Sequence, residues 1–71
     1  MRVRVSDPTL VPELLDYLRW RDDVVAQRVG SDEIEASLVG SYGAEGHRLE
    51  LDLRLRAWQK AHPGVEIDLD D

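Results

Sequence analysis

Cysteine is absent from the 71 residues, so disulfides, thiolate chemistry, iron–sulfur clusters and cysteine-ligated zinc have no ligands here. A chain this short lies near the lower limit at which one hydrophobic core supports a fold unaided. Association with another chain is the reinforcement left over. Long apolar runs are missing too: no stretch approaches the ~20 residues of a membrane-spanning helix, and Met1-Arg2-Val3-Arg4-Val5 has no apolar centre of a signal peptide. The expectation is a soluble, cytoplasmic protein with no membrane partner. Basic residues are scarce, nine against fifteen acids for a net charge of −6. That balance repels a polyanion, so no nucleic acid partner is expected.

What is present argues for a folded chain. Apolar residues make up 42% and charged ones 34%, richer in aliphatic side chains than disordered segments are. Residues 1–71 read as one small domain, with only the acidic end Asp68-Leu69-Asp70-Asp71 expected to fray.

Arg2-Val3-Arg4-Val5 alternates with period two and leads into Ser6-Asp7-Pro8-Thr9, a run of turn formers and caps. Thr9 is the expected N-cap, because it places Pro12 in the first turn, where the missing N–H costs nothing. Leu10, Leu14 and Leu18 with Val11 and Leu15 make one face of a helix ending near Trp20. Val24–Val29 and Ile34–Val39 form a hairpin around the turn Gly30-Ser31-Asp32-Glu33, with Ile34, Ala36 and Leu38 on one face. After Ala61-His62-Pro63-Gly64, Val65–Leu69 alternates as a last strand.

Between these lies HRLELDLRLRAW, residues 47–58, in which leucine alternates with charge as in a strand. It contains no β-branched residue, and Leu, Glu and Arg favour helix. Helical spacing puts Ala44, Arg48, Leu51, Leu55, Trp58 and His62 on one face and Leu49, Leu53 and Ala57 on a second, with Glu50 and Arg54 as an i,i+4 pair. The segment reads as a helix over roughly 44–62.

The order βαββαβ predicts an α+β, ferredoxin-like two-layer sandwich: a four-stranded antiparallel sheet with both helices on one face. First and last strands are then neighbours, and Arg2 and Arg4 face Glu66 and Asp68 across them.

Chemistry-bearing patterns are few. The first and third strands are expected as parallel neighbours, so that Ser6, Asp7 and Thr9 meet the loop Gly40, Ser41, Tyr42, Gly43 where both feed helix N-termini, a place for a small anionic ligand. The glycines lack the Walker ending and the dinucleotide spacing, and Asp7 and Glu45 oppose an anion. His47 and His62 stand about four turns apart on one helix, too far to share a metal. His47, Asp7 and Tyr42 are the sole general acid–base candidates, and no nucleophile pattern accompanies them, so no enzymatic activity, metal or cofactor is expected. The outward strand positions offer no aromatics for base stacking, and Trp20 and Trp58 suit a core or an interface.

Val3-Arg4-Val5-Ser6-Asp7-Pro8-Thr9-Leu10, opening a helix in a βαββαβ chain, resembles the start of ACT-type regulatory domains, although Thr9 stands where a glycine usually follows the proline. The resemblance implies a sensor holding a small molecule at the strand-to-helix loops. The competing expectation is a protein-interaction domain. If Leu51, Leu55 and Trp58 face the sheet, Leu49, Leu53 and Ala57 with Arg56 form a surplus apolar surface, suited to a homodimer or another protein partner, across which Arg54 and Arg56 meet Glu50 and Asp52.

Overall fold

The computed structural model describes residues 1–40 and 43–70. Its elements are β1 (Arg2–Val5), a 3-10 turn (Pro8–Leu10), α1 (Val11–Arg19), β2 (Val24–Arg28), β3 (Glu33–Leu38), α2 (Ala44–Lys60) and β4 (Ile67–Asp70). The strands form one antiparallel sheet in the order β2-β3-β1-β4. The architecture is α+β.

Period-two alternation decides which face of the sheet is dry. Val3, Val5, Val24, Ala26, Ile34, Ala36, Leu38 and Ile67 are buried on one side, and Arg2, Arg4, Val25, Gln27, Ser37, Asp68 and Asp70 are exposed on the other. Val11, Leu14 and Leu18 from α1 and Leu51, Leu55 and Trp58 from α2 close the same core. Both helices therefore cover the dry face.

The leucine–charge stretch is helical throughout and belongs to α2. No β-branched residue opposes it, Glu45 sits in the first turn and Lys60 in the last, and both match the helix dipole. Gly46 falls in the first turn. Pro63 bars continuation, and Gly64 takes the turn at φ +92°, a conformation that L side chains rarely adopt. Trp58 stacks on His62 with ring centroids 3.9 Å apart and closes the C-terminal end of the core.

Four expectations change. Asp7, in extended conformation, caps in place of Thr9: its Oδ1 accepts from Thr9 N at 3.0 Å and from Thr9 Oγ1 at 2.6 Å, so the first turn is 3-10 and α1 begins at Val11. The acidic end does not fray up to Asp70, because Ile67–Asp70 pairs with β1. In that pairing Arg4 opposes Asp68 and Arg2 opposes Asp70, two residues along from the expected register. The first and third strands are antiparallel neighbours, not parallel ones.

Candidate interaction surface

The antiparallel pairing of β1 with β3 takes the expected ligand site apart. Val5 N donates to Asp32 O at the start of β3, whereas Gly40 and Gly43 follow its other end. The six residues of β3 lie between the two loops, about 20 Å of strand. Ser6, Asp7 and Thr9 are moreover engaged within the fold: Ser6 Oγ accepts from Glu66 N at 2.8 Å, Ser6 N donates to Glu66 O at 2.9 Å, and Asp7 and Thr9 form the cap. Ser41 and Tyr42 lie outside the described residues. Among the described residues, the convergence on which a strand-loop sensor depends is not formed.

On the open face of the sheet, the arginines of β1 pair with the glutamates of β3. Arg2 donates to Glu33 at 2.8 Å and to Glu35 at 3.3 Å, and Arg4 reaches Glu33 at 3.2 Å. Arg2, followed by Arg4, holds the Glu33 carboxyl below the usual carboxylate range, and Arg2 does the same for Glu35. The arginines thus face carboxylates on both neighbours, β3 and β4.

At each edge of the sheet an arginine from the helix above caps one outward carbonyl. Ala36 bonds through its own N–H toward Met1, away from β2, so its partner Ala26 turns its backbone groups outward at the β2 edge. Arg19 of α1 donates through Nε to that Ala26 carbonyl at 3.0 Å. At the opposite edge, Arg48 of α2 donates to the Leu69 carbonyl at 3.3 Å. An edge covered in this way is a poor template for adding a strand.

The helical layer remains. At about 100° per residue, Leu49 and Leu53 stand on the far side of the helix from Leu51 and Leu55, about 120–160° round, and they are 62% and 61% exposed. Ala57 and Arg56 are exposed beside them. The sequence placed this set on a flank; it occupies the outermost face of α2. Arg54 belongs elsewhere. Its Nη1 and Nη2 donate to Asp23 Oδ1 and Oδ2 at 3.0 and 2.9 Å, its Nε donates to Glu50 Oε1 at 3.2 Å, and its side chain is only 11% exposed. Arg54 holds the Asp23 carboxyl below its ordinary range. Arg54 and Glu50 therefore pair within the chain and do not serve an interface, as the sequence suggested they would.

Tyr17 Oη donates to Arg54 O at 2.9 Å, and His62 Nε2 lies 3.2 Å from Glu13 Oε1. Those two contacts fix α1 and α2 side by side and antiparallel. Trp20 borders a groove with Tyr17 and Arg54 and is 85% exposed. Sequence reasoning named Trp20 for a core or an interface without choosing between them. The signal was present: two residues beyond Leu18, a helix has turned by about 200°, away from the stripe of Leu14 and Leu18.

Among the described residues, no three His, Asp or Glu side chains gather into a metal-binding group, and no helix is long and apolar enough to cross a membrane. Comparison with known proteins finds no matching family model, no similar curated protein and no similar solved structure.

Proposed function

We propose that the protein is a small interaction module that associates through the outer face of α2, with Leu49, Leu53 and Ala57 as its apolar centre and Arg56 at its rim. The observation that carries this reading is the exposure of two leucines on the far side of the helix from its core stripe. Burying a leucine is worth roughly 1.5–3 kcal/mol, a large share of the ~5 kcal/mol stability at the low end of the range for folded domains. The alternatives are poorer: the arginines and glutamates of the open sheet face pair with one another, and each sheet edge carries an arginine. We read the architecture as ferredoxin-like, supported by the βαββαβ order, the strand order β2-β3-β1-β4 and the two helices on one face. It acts by binding and not by catalysis.

Sedimentation equilibrium at micromolar concentration tests the reading. The wild type is expected at a multiple of the 8.1 kDa chain mass, and Leu53→Glu at the chain mass with its circular dichroism unchanged. A monomeric wild type, or a variant that associates as before, overturns self-association through this face.

A further inference from the structure

The outer face of α2 is not only apolar; its charges are ordered along the helix. Glu45 stands in the first turn, Arg56 and Lys60 in the last two, and Leu49 and Leu53 lie between them. All three charged residues are exposed; Arg56 meets Gln59 and Asp52 of its own helix and borders a groove with Glu66 and Asp68. Such a face is complementary to its own reverse.

We infer that the partner of this face is a second copy of the chain, with the two α2 helices antiparallel about a twofold axis passing between Leu49 and Leu53. The inference rests on the interaction reading above and names its partner and its register. A twofold axis in the interface plane sets Leu49 of one protomer against Leu53 of its partner and brings like flanks of the helices together. On the flank beside β4, Arg56 falls level with the partner's Glu45, within about one residue's rise of 1.5 Å. Lys60 projects toward that same carboxylate. On the other flank, Gly46 of one helix meets Ala57 of the other, two small residues that permit close approach. A parallel pairing swaps the flanks and sets Glu45 and Arg56 against the partner's Gly46 and Ala57, so only the antiparallel pairing brings these opposite charges together.

The same geometry gives Trp20 a place. Tyr17 is level with Arg54 through its hydrogen bond, and α1 runs antiparallel to α2, so Trp20, three residues further on, stands level with residues 50 to 53. That is the level of the twofold axis. Each Trp20 then lies against the partner's helical layer and passes from exposed to covered when the copies join. Trp58, the other tryptophan, is already buried in the core and serves as an internal control.

Charge reversal tests the register. Glu45→Arg gives a face carrying only positive charges at these positions, and Arg56→Glu removes a base and adds an acid. Each variant alone is expected to dimerise about tenfold more weakly at low ionic strength. In an equimolar mixture the introduced arginine of one variant meets the introduced glutamate of the other, and the native Arg56 of the first meets the native Glu45 of the second. That mixture is expected to recover the affinity. Dilution of the wild-type dimer should shift Trp20 emission to the red and raise its quenching by iodide, a change absent from Trp20→Phe. If the wild type associates and Leu53→Glu dissociates it, but the mixture gains nothing or Trp20 stays open to iodide in the assembly, the antiparallel register is overturned while the interaction reading stands. A monomeric wild type overturns both.

Discussion

Arg54 and Asp23 meet through two parallel hydrogen bonds of 3.0 and 2.9 Å, joining the middle of α2 to the turn before β2. Paired bonds of this kind fix orientation as well as distance. Arg54 also carries Glu50 and presents its backbone carbonyl to Tyr17. One residue thus links α2 to α1 and to the hairpin, and it sets the rotation of α2 that leaves Leu49 and Leu53 outside.

The Asp23 carboxyl is held below its ordinary range chiefly by its hydrogen bonds to Arg54. A depressed folded-state pKa contributes stability above the unfolded value, about 3.9, which is lost as pH falls through the folded value. Urea midpoints measured from pH 7 down to pH 2 should fall for the wild type. Asp23→Asn should start lower at pH 7 and decline less steeply; equal slopes for the two would remove this pair from the acid response.

His62 has the opposite sign. Its Nδ1 lies 2.9 Å from the Trp58 carbonyl and its Nε2 3.2 Å from Glu13, so the doubly protonated ring can donate at both ends. Its pKa is raised, first by the Trp58 carbonyl and then by Glu13. The stabilisation is therefore complete below the unfolded value, about 6.5, and is lost as pH rises through the folded one. Thermal midpoints between pH 5.5 and 8.5 should fall for the wild type and stay flatter for His62→Asn. An NMR titration placing His62 at or below the ordinary imidazole value would contradict the assignment.

The rotation of α2 makes neighbouring leucines differ sharply. Leu51 and Leu55 are sealed in the core, and truncating either to alanine should cost about 2–5 kcal/mol. Leu49→Ala and Leu53→Ala, compared at dilutions where the chain is monomeric, should stay within about 0.5 kcal/mol. Denaturant titrations of the four variants test the phase of the helix residue by residue.

Much of this phase was legible in HRLELDLRLRAW, because the absence of β-branched residues and the three-and-four spacing of Leu51, Leu55 and Trp58 agree. The hairpin was legible for the same reason, since Ile34, Ala36 and Leu38 alternate cleanly. The register of β4 was not. Glu66, Asp68 and Asp70 repeat at period two, and a slip of two residues keeps every side chain on its face, so both registers set carboxylates opposite Arg2 and Arg4. Strand direction, by contrast, was legible from topology: the antiparallel sheet predicted from the βαββαβ order already makes the first and third strands antiparallel neighbours, and the ligand site built on Gly40 and Gly43 assumed the opposite. The guarding roles of Arg19 and Arg48 depend on which carbonyls face outward, a property of register that no local pattern carries.

Those two arginines lead to the last prediction. The outward carbonyl of Ala26 accepts from Arg19 Nε, and beside it on the same edge strand Val25 is exposed. An uncovered edge with an apolar side chain is a template for strand addition between molecules. Arg19→Ala leaves the core untouched, since Arg19 is exposed, but opens the edge. It should retain the native circular dichroism spectrum yet aggregate with time and concentration, binding thioflavin T, whereas Arg21→Ala, an equal loss of charge just beyond the helix, should remain clear. Combining Arg19→Ala with Val25→Lys, which puts a charge beside the opened edge, should restore clarity. If Arg19→Ala and Arg21→Ala behave alike, net charge and not edge cover keeps the molecules apart.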